Sequence, residues 1–143
     1  MTITWTDTLD NIDWNELSDL YRKAPLGEKP PERLKTVFSN SMFRRFAYED
    51  GVLVAAGRAL ADGADCSYIC DIAILPSHQG RGLGHALIDQ LVDLSRGHAK
   101  IILYAVPGRE GFYAHHGFRR MTTAMAIFQD QEGATARGYL APE

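Results

Sequence analysis

Gln79-Gly80-Arg81-Gly82-Leu83-Gly84 places three glycines within five residues, around an arginine and between a strand-like and a helix-like run. Glycines there admit positive φ and let main-chain N–H groups approach a ligand closely, at the positive end of a helix dipole. The chemistry this predicts is phosphate binding. A dinucleotide fingerprint needs Gly-x-Gly-x-x-Gly and an acid roughly 20 residues further on. Counted from Gly80 the sixth residue is His85, Tyr104 stands near the place of the acid, and the Gly-Lys-Ser/Thr ending of a phosphate loop is absent. The other chemically suggestive residue is Asp71, a carboxylate among Ile69, Cys70, Ile72, Ala73 and Ile74. Burying an unpaired charge is costly, and the neighbouring sequence offers no cation, so Asp71 is expected to face a cleft. The structural alternative is a strand carboxylate capping backbone N–H groups at a bulge.

These residues need positioning elements. Asp13 followed by Glu16, with Trp14, Leu17, Leu20 and Tyr21 at helical spacing, predicts a first helix. Pro30-Pro31 opens a second, with Leu34, Val37 and Phe38 inward and Asn40-Ser41 at its end. Phe43 to Tyr48 and Val52 to Leu60 read as strands about an Asp50-Gly51 hairpin, and Cys66 to Leu75 as a third. Leu83, Leu87, Leu91 and Leu94 mark a helix from Gly82 to Arg96, stopped by Gly97. Lys100 to Val106 is a short buried strand, Gly111 to His116 a short helix capped by Gly117, and Met121 to Phe128 a last strand. The residues after Gln129 carry no convincing element. Strand 66–75 passes through the helix to a parallel neighbour at 100–106, which predicts a mixed α/β sheet flanked by helices.

The 143 residues, 45% hydrophobic and 23% charged, suit one domain spanning 1–143. The chain has no apolar run long enough for a membrane span and its first residues lack a secretory pattern, so a cytoplasmic protein is expected. Cys66 and Cys70 are too few for a disulfide framework and read as packed thiols. The histidines lack the spacing of a metal site. A net charge of -3 argues against a nucleic-acid binder. That total hides a distribution: residues 1–78 carry 8 basic against 12 acidic side chains, residues 79–120 carry 6 against 3, and residues 121–143 carry 1 against 3.

The pattern Gln/Arg-x-x-Gly-x-Gly/Ala, here Gln79, Gly82 and Gly84, resembles the pyrophosphate-binding signature of the GNAT superfamily of N-acetyltransferases. Asp71-Ile72-Ala73-Ile74-Leu75-Pro76 looks like that family's fourth strand, and Gly111-Phe112-Tyr113-Ala114-His115-His116-Gly117-Phe118 like its Phe-Tyr-x-x-x-Gly-Phe segment. The resemblance covers residues 66–128 by motif and the remainder by element order. It implies the GNAT fold: a mixed, mostly antiparallel sheet of six or seven strands, splayed between the fourth and fifth and flanked by about four helices. The implied co-substrate is acetyl-CoA, with no metal, and a homodimer paired through the last strand and tail is open. Backbone groups of Ile72, Ala73 and Ile74 would bind the pantetheine arm and the thioester carbonyl. Gln79, Gly80, Arg81, Gly82, Leu83, Gly84 and His85 would hold the pyrophosphate, with Arg109 and Phe112 as further cofactor contacts. The basic 79–120 segment suits this polyanion.

By the same resemblance Tyr113 protonates, or hydrogen-bonds, the departing thiolate. A phenol of ordinary pKa about 10 suits the second role better. Asp71 matches an acid at the acceptor site of the glucosamine-phosphate branch and would orient a cationic amine and help to deprotonate it. Two positions depart from the family pattern: Tyr68 stands where other members place a glutamate or histidine base, and Arg109 where an asparagine is common. Tyr21, Phe43, Tyr68, Asp71 and Tyr104 are the expected acceptor residues, with Asp13, Glu16 and Asp19 making that side acidic. A small-molecule primary amine, acetylated directly in a ternary complex, is the first reading. A protein or peptide amine, or a catalytically silent coenzyme A binding module, is the alternative.

Overall fold

The computed structural model describes residues 2–142. The chain forms two compact units, one up to Leu103 and one from Tyr104 on. In the first, strands β1 (Ile3–Thr6), β2 (Phe43–Glu49), β3 (Val52–Ala61), β4 (Cys66–Ile74) and β5 (Lys100–Ile102) form one sheet in the order β1-β2-β3-β4-β5. The first four are antiparallel to their neighbours, while β5 runs parallel to β4. Helices α1 (Trp14–Lys23) and α2 (Pro31–Ser39) enter before β2, and α3 (Leu83–Ser95) supplies the crossover between β4 and β5. Among the described residues no helix is long and apolar enough to cross a membrane.

Local chemistry sets these elements. The Asp13 carboxylate accepts hydrogen bonds from Asn15 and Glu16 N–H at 3.0 and 3.1 Å, satisfying orphan donors at the start of α1. Asp50 and Gly51 both take positive φ, 51° and 77°, as a two-residue hairpin of matching twist requires. Leu17, Leu20 and Tyr21 of α1 and Leu34 and Phe38 of α2 bury against Phe46, Leu53, Ala56 and Ala73 on one face of the sheet. On the other face Ile72, Leu87 and Leu91 converge on Gly57.

The β3–β4 pairing shifts register between Ala56 and Arg58: Ala56 faces Ala73 and Arg58 faces Cys70, so Asp71 and Ile72 together oppose Gly57. Asp71 takes φ 57° there, a left-handed conformation uncommon for a residue with a side chain. Gly57 makes room for the bulge. A Cβ at position 57 would lie 2.6 Å from Ile72 Cδ1 and 3.1 Å from Leu91 Cδ1. Gly57→Ala is therefore expected to cost about 1–3 kcal/mol of overpacking, read as a lower urea midpoint. An unchanged midpoint would show that Ile72 moves aside freely.

The second unit contains α4 (Glu110–Ala114) and α5 (Gln131–Ala136). Three sequence expectations are corrected. Strand β5 stops at Ile102, short of Val106, and Met121–Phe128 forms no strand, so the sheet has five strands, not six or seven. The residues after Gln129 do form an element. Asp130 caps α5 by accepting from Gly133 N–H at 2.9 Å, and Tyr139 N–H closes its end on the Ala134 carbonyl, with Gly138 at φ 85°. Polar, glycine-containing sequence hid this helix because its stability comes from caps, with Ala134 alone of its residues buried.

Candidate active site

The open edge of β4 comes first. Its pairing with β5 covers only Cys66 to Tyr68, so Ile69 to Ile74 have no β5 partner, and the bulge lies inside this unpaired stretch. Backbone groups released in this way can serve a ligand. Ile72 turns its side chain to α3, Ala73 is buried against α1 and α2, and Ile74 pairs with Ala55; the chemistry of these three residues is that of their main chain.

A 3-10 turn, Pro76–His78, leads from β4 into the glycine turn. The Gln79 side-chain amide donates to the Ile74 carbonyl at 3.1 Å and so closes the turn onto the end of β4. Gly80 and Gly82 have φ of 77° and 81°, with open space where a Cβ would stand, so conformation and not crowding calls for glycine. Gly82 is the N-cap of α3 and offers no side chain, which leaves the first-turn N–H groups of Leu83, Gly84 and His85 without intrahelical acceptors. Leu83 itself is buried, so it contributes its backbone only. A turn with two left-handed glycines at the head of a 13-residue helix fits a pyrophosphate.

The sequence reading missed the anchor of this turn. Glu49, at the end of β2, pairs with His78 at 3.0 Å through Oε1 and faces Arg81 Nη2 at 3.8 Å through Oε2, an oxygen that is buried without a hydrogen-bond partner. Glu49 lies thirty-two residues before Arg81 in the chain, and only the β2–β3 hairpin and the β3–β4 pairing bring the two together.

Asp71 does not stand alone. Its Oδ2 meets Arg58 Nε at 2.7 Å and its Oδ1 meets Lys29 Nζ at 3.5 Å, while its carbonyl accepts the Tyr21 hydroxyl at 2.6 Å. The neighbouring sequence offers no cation, and the fold brings two: Arg58 arrives across the β3–β4 ladder and Lys29 on the loop between α1 and α2. Arg58 also donates to Ser41 Oγ at 3.2 Å and lies over the Phe38 ring. Burial, reinforced by Asp71, raises the Tyr21 phenol well above its ordinary pKa, so the hydroxyl stays a donor. Burial likewise raises the Cys70 thiol to about 11, which keeps it protonated and a poor nucleophile.

The other expected acceptor residues divide. Tyr68 precedes Cys70 by two residues and shares its face of β4, the one that carries α1 and α2. Phe43 lies on the opposite face: its ring meets His98 edge-on at 6.0 Å, and Arg45, two residues on, bonds Gln90 of α3. Tyr21 is fully buried and acts through its hydroxyl alone. Asp13 caps α1, Glu16 accepts the Leu53 N–H at 2.9 Å, and Asp19 pairs with Arg22 at 2.6 Å.

In the second unit Tyr113 sits on α4 with its ring 5.0 Å from Phe112 and 6.1 Å from Phe118, edge-on to both. Burial raises its pKa, and Arg109, at the N-cap of α4, pulls the other way. Tyr104 packs edge-on against Phe128 and Tyr139 at 6.0 and 5.6 Å, so the segment after Gln129 supplies one of its neighbours.

The sheet is antiparallel but for one short parallel strand, with a bulge beyond that pairing and a glycine turn at the head of a long helix. Residues 9–118 match the Acetyltransferase (GNAT) family, and the chain belongs to it. Members of this family use acetyl-CoA. The chain is 33% identical over 113 residues to serotonin N-acetyltransferase 2, chloroplastic, of Oryza sativa subsp. japonica, covering 75% of this chain and 56% of that one. It is 30% identical over 86 residues to glucosamine 6-phosphate N-acetyltransferase 1 of the same plant, covering 54% and 52%. The chain thus spans little more than half the length of these curated relatives. A probable acetyltransferase from Staphylococcus aureus superposes with a TM-score of 0.78 at 20% identity, over 89% of this chain and 98% of that one. N-acetylglutamate synthase from Neisseria gonorrhoeae, complexed with coenzyme A and N-acetyl-glutamate, gives 0.74 at 18% identity, over 97% of this chain and 33% of that one.

Proposed function

We propose that this chain is an N-acetyltransferase that moves the acetyl group of acetyl-CoA to the primary amine of a small molecule, by direct transfer in a ternary complex and within one catalytic domain. The observation that carries this reading is the unpaired Ile69–Ile74 edge of β4, bulged at Asp71 and running into the Gly80–Gly82 turn. The turn N–H groups and the α3 dipole hold the pyrophosphate, and the main chain of Ile72 to Ile74 holds the pantetheine arm. Bound acetyl-CoA supplies an activated thioester. A bulge N–H donates to the thioester oxygen as negative charge develops there, a donor pre-positioned by the fold. Tyr113 is the hydrogen-bond donor to the leaving sulfur. Neither Tyr68 nor Cys70 serves as base, the first being a phenol and the second a thiol with a raised pKa. The two free cysteines suit a reducing compartment, and we place the protein in the cytoplasm.

The test is thermal unfolding with acetyl-CoA, NADH or ATP, each at about 100 times its dissociation constant. A bound ligand then contributes about 2.7 kcal/mol, a rise on the order of 5–15 °C. The rise is expected with acetyl-CoA. A rise with NADH and none with acetyl-CoA would sink the proposal.

A further inference from the structure

The acceptor side is expected to be acidic, and what its carboxylates engage bears on the acceptor. Each of the four carboxylates thought to draw a cationic amine is already engaged: Asp13 with helix N–H groups, Glu16 with the Leu53 N–H, Asp19 with Arg22, and Asp71 with Arg58 and Lys29. Around Asp71 the balance is reversed. Two cations meet one carboxylate, and among the described residues neither Lys29 nor Arg58 has a second acid. The remaining polar groups there add no negative charge: the Tyr21 hydroxyl is spent on the Asp71 carbonyl, Ser41 is neutral, and the Cys70 thiol stays protonated.

The two cations are held differently. Arg58 is 12% exposed, makes the short 2.7 Å contact, and is further fixed by Ser41 and the Phe38 ring. Lys29 is 26% exposed, stands at 3.5 Å from Asp71 Oδ1, and lies over the Tyr21 ring at 5.6 Å. Its backbone is pinned, because the Ser18 hydroxyl donates to the Lys29 carbonyl at 2.6 Å. A fixed loop thus carries a partly exposed ammonium whose carboxylate partner is already claimed more closely by Arg58. Buried and half-buried charges call for partners, and this cluster lacks an anion.

We infer that the acceptor is an amine that also carries an oxyanion, a carboxylate or a phosphate, and that Lys29 is the specificity-determining contact for that group, backed by Arg58. This deepens the acetyltransferase reading and rests on it. A purely cationic amine would meet a site of net positive charge, whereas an amine with an oxyanion presents the charge the site lacks and keeps its nitrogen for the acetyl group.

The experiment measures kcat/KM by coenzyme A release for matched acceptors. Glucosamine 6-phosphate against glucosamine and phosphoethanolamine against ethanolamine form the phosphate arm; L-amino acids against their amides form the carboxylate arm. In at least one arm the anionic acceptor is expected to lead by roughly 10- to 100-fold, the range of one charge-assisted hydrogen bond. Lys29→Met is expected to reduce that lead below about threefold, and Lys29→Arg to restore it; the acetyl-CoA melting shift, measured on both variants, confirms that they fold and hold the cofactor. Neutral acceptors that match the anionic ones in both arms overturn the inference, as does a lead that survives Lys29→Met. If acetyl-CoA stabilises the chain but no acceptor in either arm is acetylated, this substrate class is wrong and the cofactor reading stands. If acetyl-CoA does not stabilise it, the acetyltransferase reading itself falls.

Discussion

Replacing Tyr113 with phenylalanine is expected to lower kcat about 100-fold while changing acetyl-CoA affinity by no more than a few-fold, the signature of an interaction made mainly in the transition state. The ring of Tyr113 is held edge-on by Phe112 and Phe118, so phenylalanine keeps the packing and deletes the hydroxyl alone. The sign of the pH dependence follows from the environment. Burial raises the phenol above its ordinary value of 10.0 and Arg109 offsets only part of the rise, so the protonated, donating form persists at all lower pH. Deprotonation of Tyr113 therefore removes no activity below about pH 10, and the pH–rate profile of Tyr113→Phe should keep the wild-type shape at a lower level. Steady-state kinetics across pH 6–10 would check both points. An unaltered kcat would remove Tyr113 from the mechanism.

The second large effect is on stability. Arg58→Met would leave the Asp71 carboxylate, 18% exposed, with only the longer contact to Lys29. Removing one partner of a largely buried ion pair typically costs 3–5 kcal/mol, because the survivor is stranded in a poorly hydrated place. Lys29 retains part of the compensation, so about 3 kcal/mol is expected, a fall in Tm on the order of 10 °C. Arg58→Met combined with Asp71→Asn should recover part of the loss, since a neutral amide is less costly to leave there than a charge. The coupling in that double-mutant cycle isolates the pair from the separate loss of Ser41 and Phe38 contacts. Urea unfolding gives the numbers, and a loss below about 1 kcal/mol for Arg58→Met would mean that Asp71 is solvated rather than paired.

These two residues mark how far the sequence could be read. Tyr113 was legible because its neighbours form a contiguous motif and its packing partners, Phe112 and Phe118, lie within five residues of it. The same holds for the glycine turn, for Asp13 as a cap and for Asp50-Gly51 as a hairpin, where backbone conformation follows from the local residue types. Asp71 was legible as an anomaly, but its ion-pair partners were not. Its partners are thirteen and forty-two residues away, and nothing local relates a carboxylate in an apolar run to Arg58 or Lys29. Glu49 was missed for the same reason. Counting charges along the sequence also says nothing of their engagement: Asp13 and Glu16 accept backbone N–H groups and Asp19 pairs with Arg22. Met121–Phe128 failed in the other direction, since apolar, β-prone residues make a strand only where a sheet edge receives them.

The sequence by itself determined the family scaffold: the order of helices and strands as far as β5, the glycine turn and the tyrosine motif, all written in short-range patterns of glycine, cap and apolar spacing. Tertiary structure alone decided the charges that surround Asp71. Ion pairs are made across the ladder and across loops, where proximity in space has no counterpart in the chain. The register shift that puts Asp71 and Ile72 opposite Gly57 brings Arg58 to the carboxylate, and the loop between α1 and α2 adds Lys29. Asp71 thereby stands in a cluster of two cations and one carboxylate.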